Sequence, residues 1–167
     1  MTPPPSTIVP PVVSLAVRVL TLICLFISII ILTTNTKTFE FTDYSSYKIK
    51  FNDYEAYKYL LATTVIGLVY TLLQTVLSVL QVASGNRLGG DIRFHIDFFA
   101  DKIISTLLAT GAAASFGMTL ELKENFDDYE MHTFKNKSNA AASLCLIAFV
   151  FGAISSTISA YSLPKRA

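Results

Sequence analysis

The stretch from Ile96 to Leu120, IDFFADKIISTLLATGAAASFGMTL, constrains this chain more than any other. It is long enough to cross a bilayer, since about 20 mostly apolar helical residues span the hydrocarbon core. Yet it carries Asp101 and Lys102 just inside its entrance, and its second half is built from small residues: Ala109, Gly111, Ala112, Ala113, Ala114, Ser115 and Gly117. A charge at a helix centre in the bilayer costs roughly 2.5–3.5 kcal/mol, so Asp101 wants a partner. Arg18, in another apolar segment, is the candidate. Small residues let a neighbouring backbone approach closely, which is how helices associate in lipid, where apolar burial gives no drive. The stretch reads as the buried helix of a membrane bundle.

Composition supports that class. Apolar residues make up 52% of the 167-residue chain, and they cluster in four blocks instead of alternating with polar ones. Charged residues reach only 15%, and the net charge of +1 offers no nucleic-acid surface. Both cysteines, Cys24 and Cys145, lie inside apolar blocks. They read as small buried side chains, without the spacing of a redox pair or a disulfide framework.

In chain order, residues 1–11 (MTPPPSTIVPP) are proline-rich and uncharged, a flexible tail that cannot continue a helix. The apolar run that follows is too long, and its n-region too neutral, for a cleaved signal peptide. It is a retained first span, about 12–32, interrupted only by Arg18. Residues 33–58 form the longest loop. Phe39-Glu40-Phe41 and Tyr47-Lys48-Ile49-Lys50-Phe51 alternate around a turn-rich patch, which predicts a small β-hairpin. Asn52, with Glu55 three residues on, predicts a capping box for the next helix, and Tyr54, Tyr57 and Tyr59 an aromatic belt at the interface.

The second span, about 57–82, carries Thr63, Gly67, Thr71 and Thr75 at four-residue spacing, with Gln74, Ser78 and Gln81 on an adjoining strip facing other helices. A short connection around Ser84–Gly90 makes spans two and three antiparallel neighbours. Residues 121–137 read as a polar, net acidic loop. The fourth span, about 138–162, sets Ala148, Gly152, Ser156 and Ala160 four residues apart, as the third sets Ala109, Ala113 and Gly117. Both are close-packing faces within or between protomers. Residues 163–167 form a tail. A sequon, Asn136-Lys137-Ser138, is a candidate glycan acceptor set close to the fourth span.

Depth favours the Arg18–Asp101 pair. Spans one and three enter from the same face, and at about 1.5 Å per residue both groups lie roughly 8–9 Å inside it. Two readings follow: a structural ion pair, or a relay in a small proton-coupled carrier or channel using Arg18 and Asp101. The structural one fits better, because the spans otherwise hold only hydroxyls, amides and small apolar groups. Lys102 lies close enough to the interface to snorkel. His95 and His132 read as loop residues without metal-ligand spacing, and no serine stands in a nucleophile-elbow context. No catalytic residue, metal or cofactor is expected. Lys and Arg fall on both sides of the membrane, so charge alone leaves the orientation open.

These residues together resemble a family: the plant Casparian strip membrane domain proteins and their CASP-like relatives, distant kin of MARVEL-type four-span proteins. The resemblance rests on an early arginine in span one (Ala16-Val17-Arg18-Val19-Leu20) and an aspartate opening a small-residue span three (Phe99-Ala100-Asp101-Lys102 to Gly111-Ala112-Ala113-Ala114). The junction Asn52-Asp53-Tyr54-Glu55-Ala56-Tyr57-Lys58-Tyr59-Leu60 is similar to that of the four D subgroup. It implies cytoplasmic termini, plasma-membrane residence, an extracellular hairpin, and lateral homo- or hetero-oligomeric platforms that recruit extracellular cell-wall enzymes. The chain departs from the Casparian strip members in having no cysteine in its second outer loop and in lacking their first-loop sequence. That points to a CASP-like scaffold in another tissue. Claudins, tetraspanins and connexins are excluded by the absent loop cysteines, and claudins also by the absence of tryptophan. The expectation is an all-α four-span membrane bundle with one small extracellular β-hairpin, acting as a non-enzymatic scaffold.

Overall fold

The computed structural model describes residues 11–41, 45–84, 91–125 and 129–161. Residues 1–10, 42–44, 85–90, 126–128 and 162–167, which include the tails and most of the connection between spans two and three, lie outside them. Helix α1 (Pro11–Thr33) is followed by strands β1 (Thr36–Phe41) and β2 (Ser45–Lys50), a 3-10 turn (Phe51–Asp53), and helices α2 (Glu55–Ser84), α3 (Asp91–Asn125) and α4 (Tyr129–Tyr161). The strands pair antiparallel, with Thr36 opposite Lys50 and Phe41 opposite Ser45, and β1 lies against α4. Each helix is long and apolar enough to cross a membrane, over Val13–Thr33, Glu55–Leu80, Phe98–Lys123 and Met131–Thr157.

The helices stand in a square. α1 packs against α2 and α4, and α3 against the same two, while the diagonal pairs barely meet. The inward residues recur at alternating steps of three and four. In α1 they are Arg18, Thr21, Leu25, Ser28 and Leu32, with Asn35 the next step just past its end; in α3, Asp101, Ser105, Leu108, Ala112, Ser115, Thr119 and Leu122. α2 follows with Tyr57, Leu60, Thr64, Gly67, Thr71 and Gln74, and α4 with Met131, Phe134, Ser138, Ala141, Cys145 and Ala148. That is the seam of antiparallel helices crossing at a shallow angle. Outward, Phe26, Ile30, Val69, Leu73, Phe99, Ile103 and Val150 are exposed, as lipid-facing side chains should be.

Three local expectations are corrected. Residues 121–125 and 129–137 are helical, because Leu122, Met131 and Phe134 continue the buried seams beyond the apolar blocks. His132 accordingly sits on α4 and His95 on α3, neither in a loop. Asn52 is not the cap of α2. It lies in the 3-10 turn, and the Tyr54 carbonyl accepts the first helical bonds, from the N–H groups of Tyr57 (3.1 Å) and Lys58 (3.2 Å). Glu55 pairs with Lys58 at 2.8 Å on the exposed face, and Asp53 accepts the Lys50 N–H at 2.7 Å. Finally, Tyr57 is no belt residue. It is fully buried, edge-on to Tyr54 and Phe134 with ring centroids 5.7 and 5.8 Å away.

Candidate functional site

The end of the bundle where α1 begins and α2 ends holds Arg18 and Asp101. Arg18 Nη2 lies 3.8 Å from Asp101 Oδ2, both side chains being less than a tenth exposed. These residues stand on diagonal helices, and α2 supplies what lies between. Arg18 Nη1 donates to Gln74 Oε1 at 3.1 Å, Gln74 Nε2 donates to the Tyr70 hydroxyl at 3.2 Å, and that hydroxyl donates to Asp101 Oδ1 at 2.5 Å. Hydrogen bonds thus run from Arg18 through Gln74 and Tyr70 to Asp101, and the Arg18–Asp101 ion pair closes the ring. Such a ring gives each of two buried charges a directed hydrogen bond in addition to their ion pair. Tyr70 and Gln74 share a face because they are four residues apart.

From this node outward the core alternates polar and apolar. Thr21 and Thr71 donate to carbonyls of their own helices, Val17 at 2.9 Å and Gly67 at 2.7 Å. Leu25, Leu108 and Cys145 then fill the centre, the Cys145 thiol donating to the Leu108 carbonyl at 3.4 Å. Further out, Ser28 donates to the Ala141 carbonyl at 2.8 Å, tying α1 to α4. Leu32 and Leu60 close the next level. At the hairpin end, Asn35 Nδ2 donates to the Phe134 carbonyl (3.0 Å) and Ser138 Oγ (2.8 Å), while Tyr57 and Thr119 share a hydroxyl bond of 3.1 Å. Hydroxyls bonded to helix carbonyls are quiet structural groups. No group of three His, Cys, Asp and Glu fit to hold a metal occurs among the described residues.

Arg18 and Asp101 thus come together. The small-residue faces divide. In α4, Ala148 is fully buried, Ser156 is buried, and a Cβ on Gly152 would stand 2.7 Å from Ser105 Oγ of α3; the side chain of Ala160 lies outside the description. In α3 the inward small residues are Gly111, Ala112 and Ser115, whereas Ala113 and Gly117 are exposed and Ala109 is half-buried. Nothing lies within 4 Å of a Cβ placed on Gly117. Asn136 is exposed near the start of α4, but Ser138 of its sequon is fully buried and holds Asn35. Sequence reasoning missed Tyr70, Asn35 and the buried Lys135. It placed Gln74 on an inward strip without tying it to Arg18. The signal was present for Tyr70: a hydroxyl four residues before Gln74, deep in an apolar block.

This architecture defines a four-span membrane protein in which Arg18 and Asp101 turn inward and meet. The Casparian strip membrane protein domain matches residues 10–151. The chain is similar over its length to the CASP-like protein 4D1 of Ricinus communis, 47% identical with 99% of each chain covered. It is 46% identical to the CASP-like protein 4D1 of Glycine max, over 92% of this chain and 88% of that one. Against the CASP-like protein 4D2 of Arabidopsis thaliana it is 40% identical, again over 99% of each. The chain belongs to the CASP-like family, within its 4D subgroup. No solved structure matches it.

Proposed function

We propose that the protein is a non-enzymatic plasma-membrane scaffold. Its termini face the cytoplasm, its strand pair lies outside the cell, and copies associate laterally with one another and with related four-span proteins. The resulting platforms recruit cell-wall-modifying partners at the outer face. The observation that carries the reading is family membership across residues 10–151 with whole-length 4D relatives. Two structural features support it. The ring around Arg18 and Asp101 is bonded within the protomer, and levels of leucine and cysteine separate it from the hairpin end, which favours a structural role over a polar path. Secondly, the middle of the lipid-facing side of α3 presents Thr106, Thr110, Ala113 and Gly117 without a large side chain. Such a surface lets a second helix come close.

Fluorescence recovery after bleaching of a tagged copy in a plant plasma membrane tests the proposal. The expected result is slow recovery within stable patches. Fast, uniform recovery at every site would overturn the static scaffold and bring forward the proton-coupled carrier, with Asp101→Asn abolishing flux in proteoliposomes.

A further inference from the structure

Asp101 is approached unequally by its two neighbours in the ring. Arg18, on the diagonal helix, stays at 3.8 Å, outside hydrogen-bond reach, whereas the Tyr70 hydroxyl, on the adjacent helix α2, donates at 2.5 Å. The shorter distance is that of a hydroxyl given to a carboxylate. The long Arg18 side chain must cross a square bundle whose diagonal helices barely meet, and its Nη1 is fixed by Gln74 Oε1 at 3.1 Å. A flexible cation and a rotatable carboxylate are each held by α2, and the Gln74 to Tyr70 bond of 3.2 Å joins the two holders. We infer that Tyr70 is the positioning residue of Asp101 and Gln74 that of Arg18, so that α2 is the helix that brings the diagonal charges together. The inference rests on reading the ring as structural. It assigns the orientation of the carboxylate to a phenol and not to the arginine.

Infrared spectroscopy of the purified full chain tests it, the Asp101 carboxylate band being isolated by subtracting the Asp101→Asn spectrum. Tyr70→Phe should shift that band more than Gln74→Leu does and lower the thermal unfolding midpoint. The losses of Tyr70→Phe and Asp101→Leu should also combine less than additively, since each removes the same bond. If Tyr70→Phe does not accumulate, uniform incorporation of fluorotyrosine, whose hydroxyl is a stronger donor, should move the same band. An Asp101 band unmoved by either change overturns the inference, even where stability falls. The structural reading fails separately, if Arg18→Leu and Asp101→Leu each unfold at the wild-type temperature while the band shift persists.

Discussion

Two glycines of α3 show how far single residues are set by position. A methyl group on Gly111 lands on the Thr63 hydroxyl, with Thr63 Cβ 3.1 Å and Cγ2 3.3 Å away. Thr63 is fully buried and its hydroxyl is engaged by the Leu60 carbonyl at 2.9 Å, so it has nowhere to turn. Gly111→Ala should therefore lower the unfolding midpoint in detergent, by an overpacking cost of ~1–3 kcal/mol. Gly117→Ala meets nothing and removes a flexible residue from a helix, so it should hold or raise the midpoint, by up to ~1 kcal/mol. Equal losses in the two variants would contradict this placement. Composition marked both residues as close-packing, but could not say which one is packed within the protomer. The Arg18–Asp101 pair was legible because depth can be counted along a helix from the membrane boundary. Tyr70 was not, since partners on different helices depend on rotation about the helix axis as well as depth.

Rotation is also what decides the elements. A stripe of strict four-residue spacing advances about 40° per step around a helix of 3.6 residues per turn, so it leaves a seam within a few steps. Steps alternating three and four stay on the seam, which is why Asp101, Ser105, Leu108, Ala112, Ser115 and Thr119 face inward while Ala113 and Gly117 do not. The four long apolar helices were plain from block length. Their ends were not, because the polar extensions 121–125 and 129–137 hold their helices by core contacts of Leu122, Met131 and Phe134 that hydropathy does not reveal. If the outward stripe of α3 serves association, Gly117→Leu should leave the protomer's unfolding midpoint unchanged and speed recovery after bleaching. Unchanged patch immobility in that variant would move the contact to another helix.

At the scale of the molecule, the bundle inverts the usual order of a soluble protein. Many large aliphatic side chains face out, and hydroxyls, amides and the charged groups of Arg18, Asp101 and Lys135 are buried beside the inward leucines. Polar ties differ at the two ends. The ring around Arg18 and Asp101 links α1, α2 and α3, whereas at the hairpin end Asn35 links the end of α1 to α4 and Tyr57 links α2 to α3. Each end therefore fixes the relative heights of helices that apolar packing in lipid would let slide. The ring contains the Arg18–Asp101 pair, so it is where a missing partner costs most, about 3–5 kcal/mol for a broken buried pair, while exchange of both partners for apolar groups is close to neutral.

Surface delivery of four chains, read by labelling intact cells, tests the structural role of the ring most directly: wild type, Arg18→Leu, Asp101→Leu and the double variant. Each single variant, carrying one orphaned charge, should lose most of its delivery, and the double should regain much of it. Single variants that reach the surface at wild-type levels would contradict the structural role. So would a double variant that is worse than both.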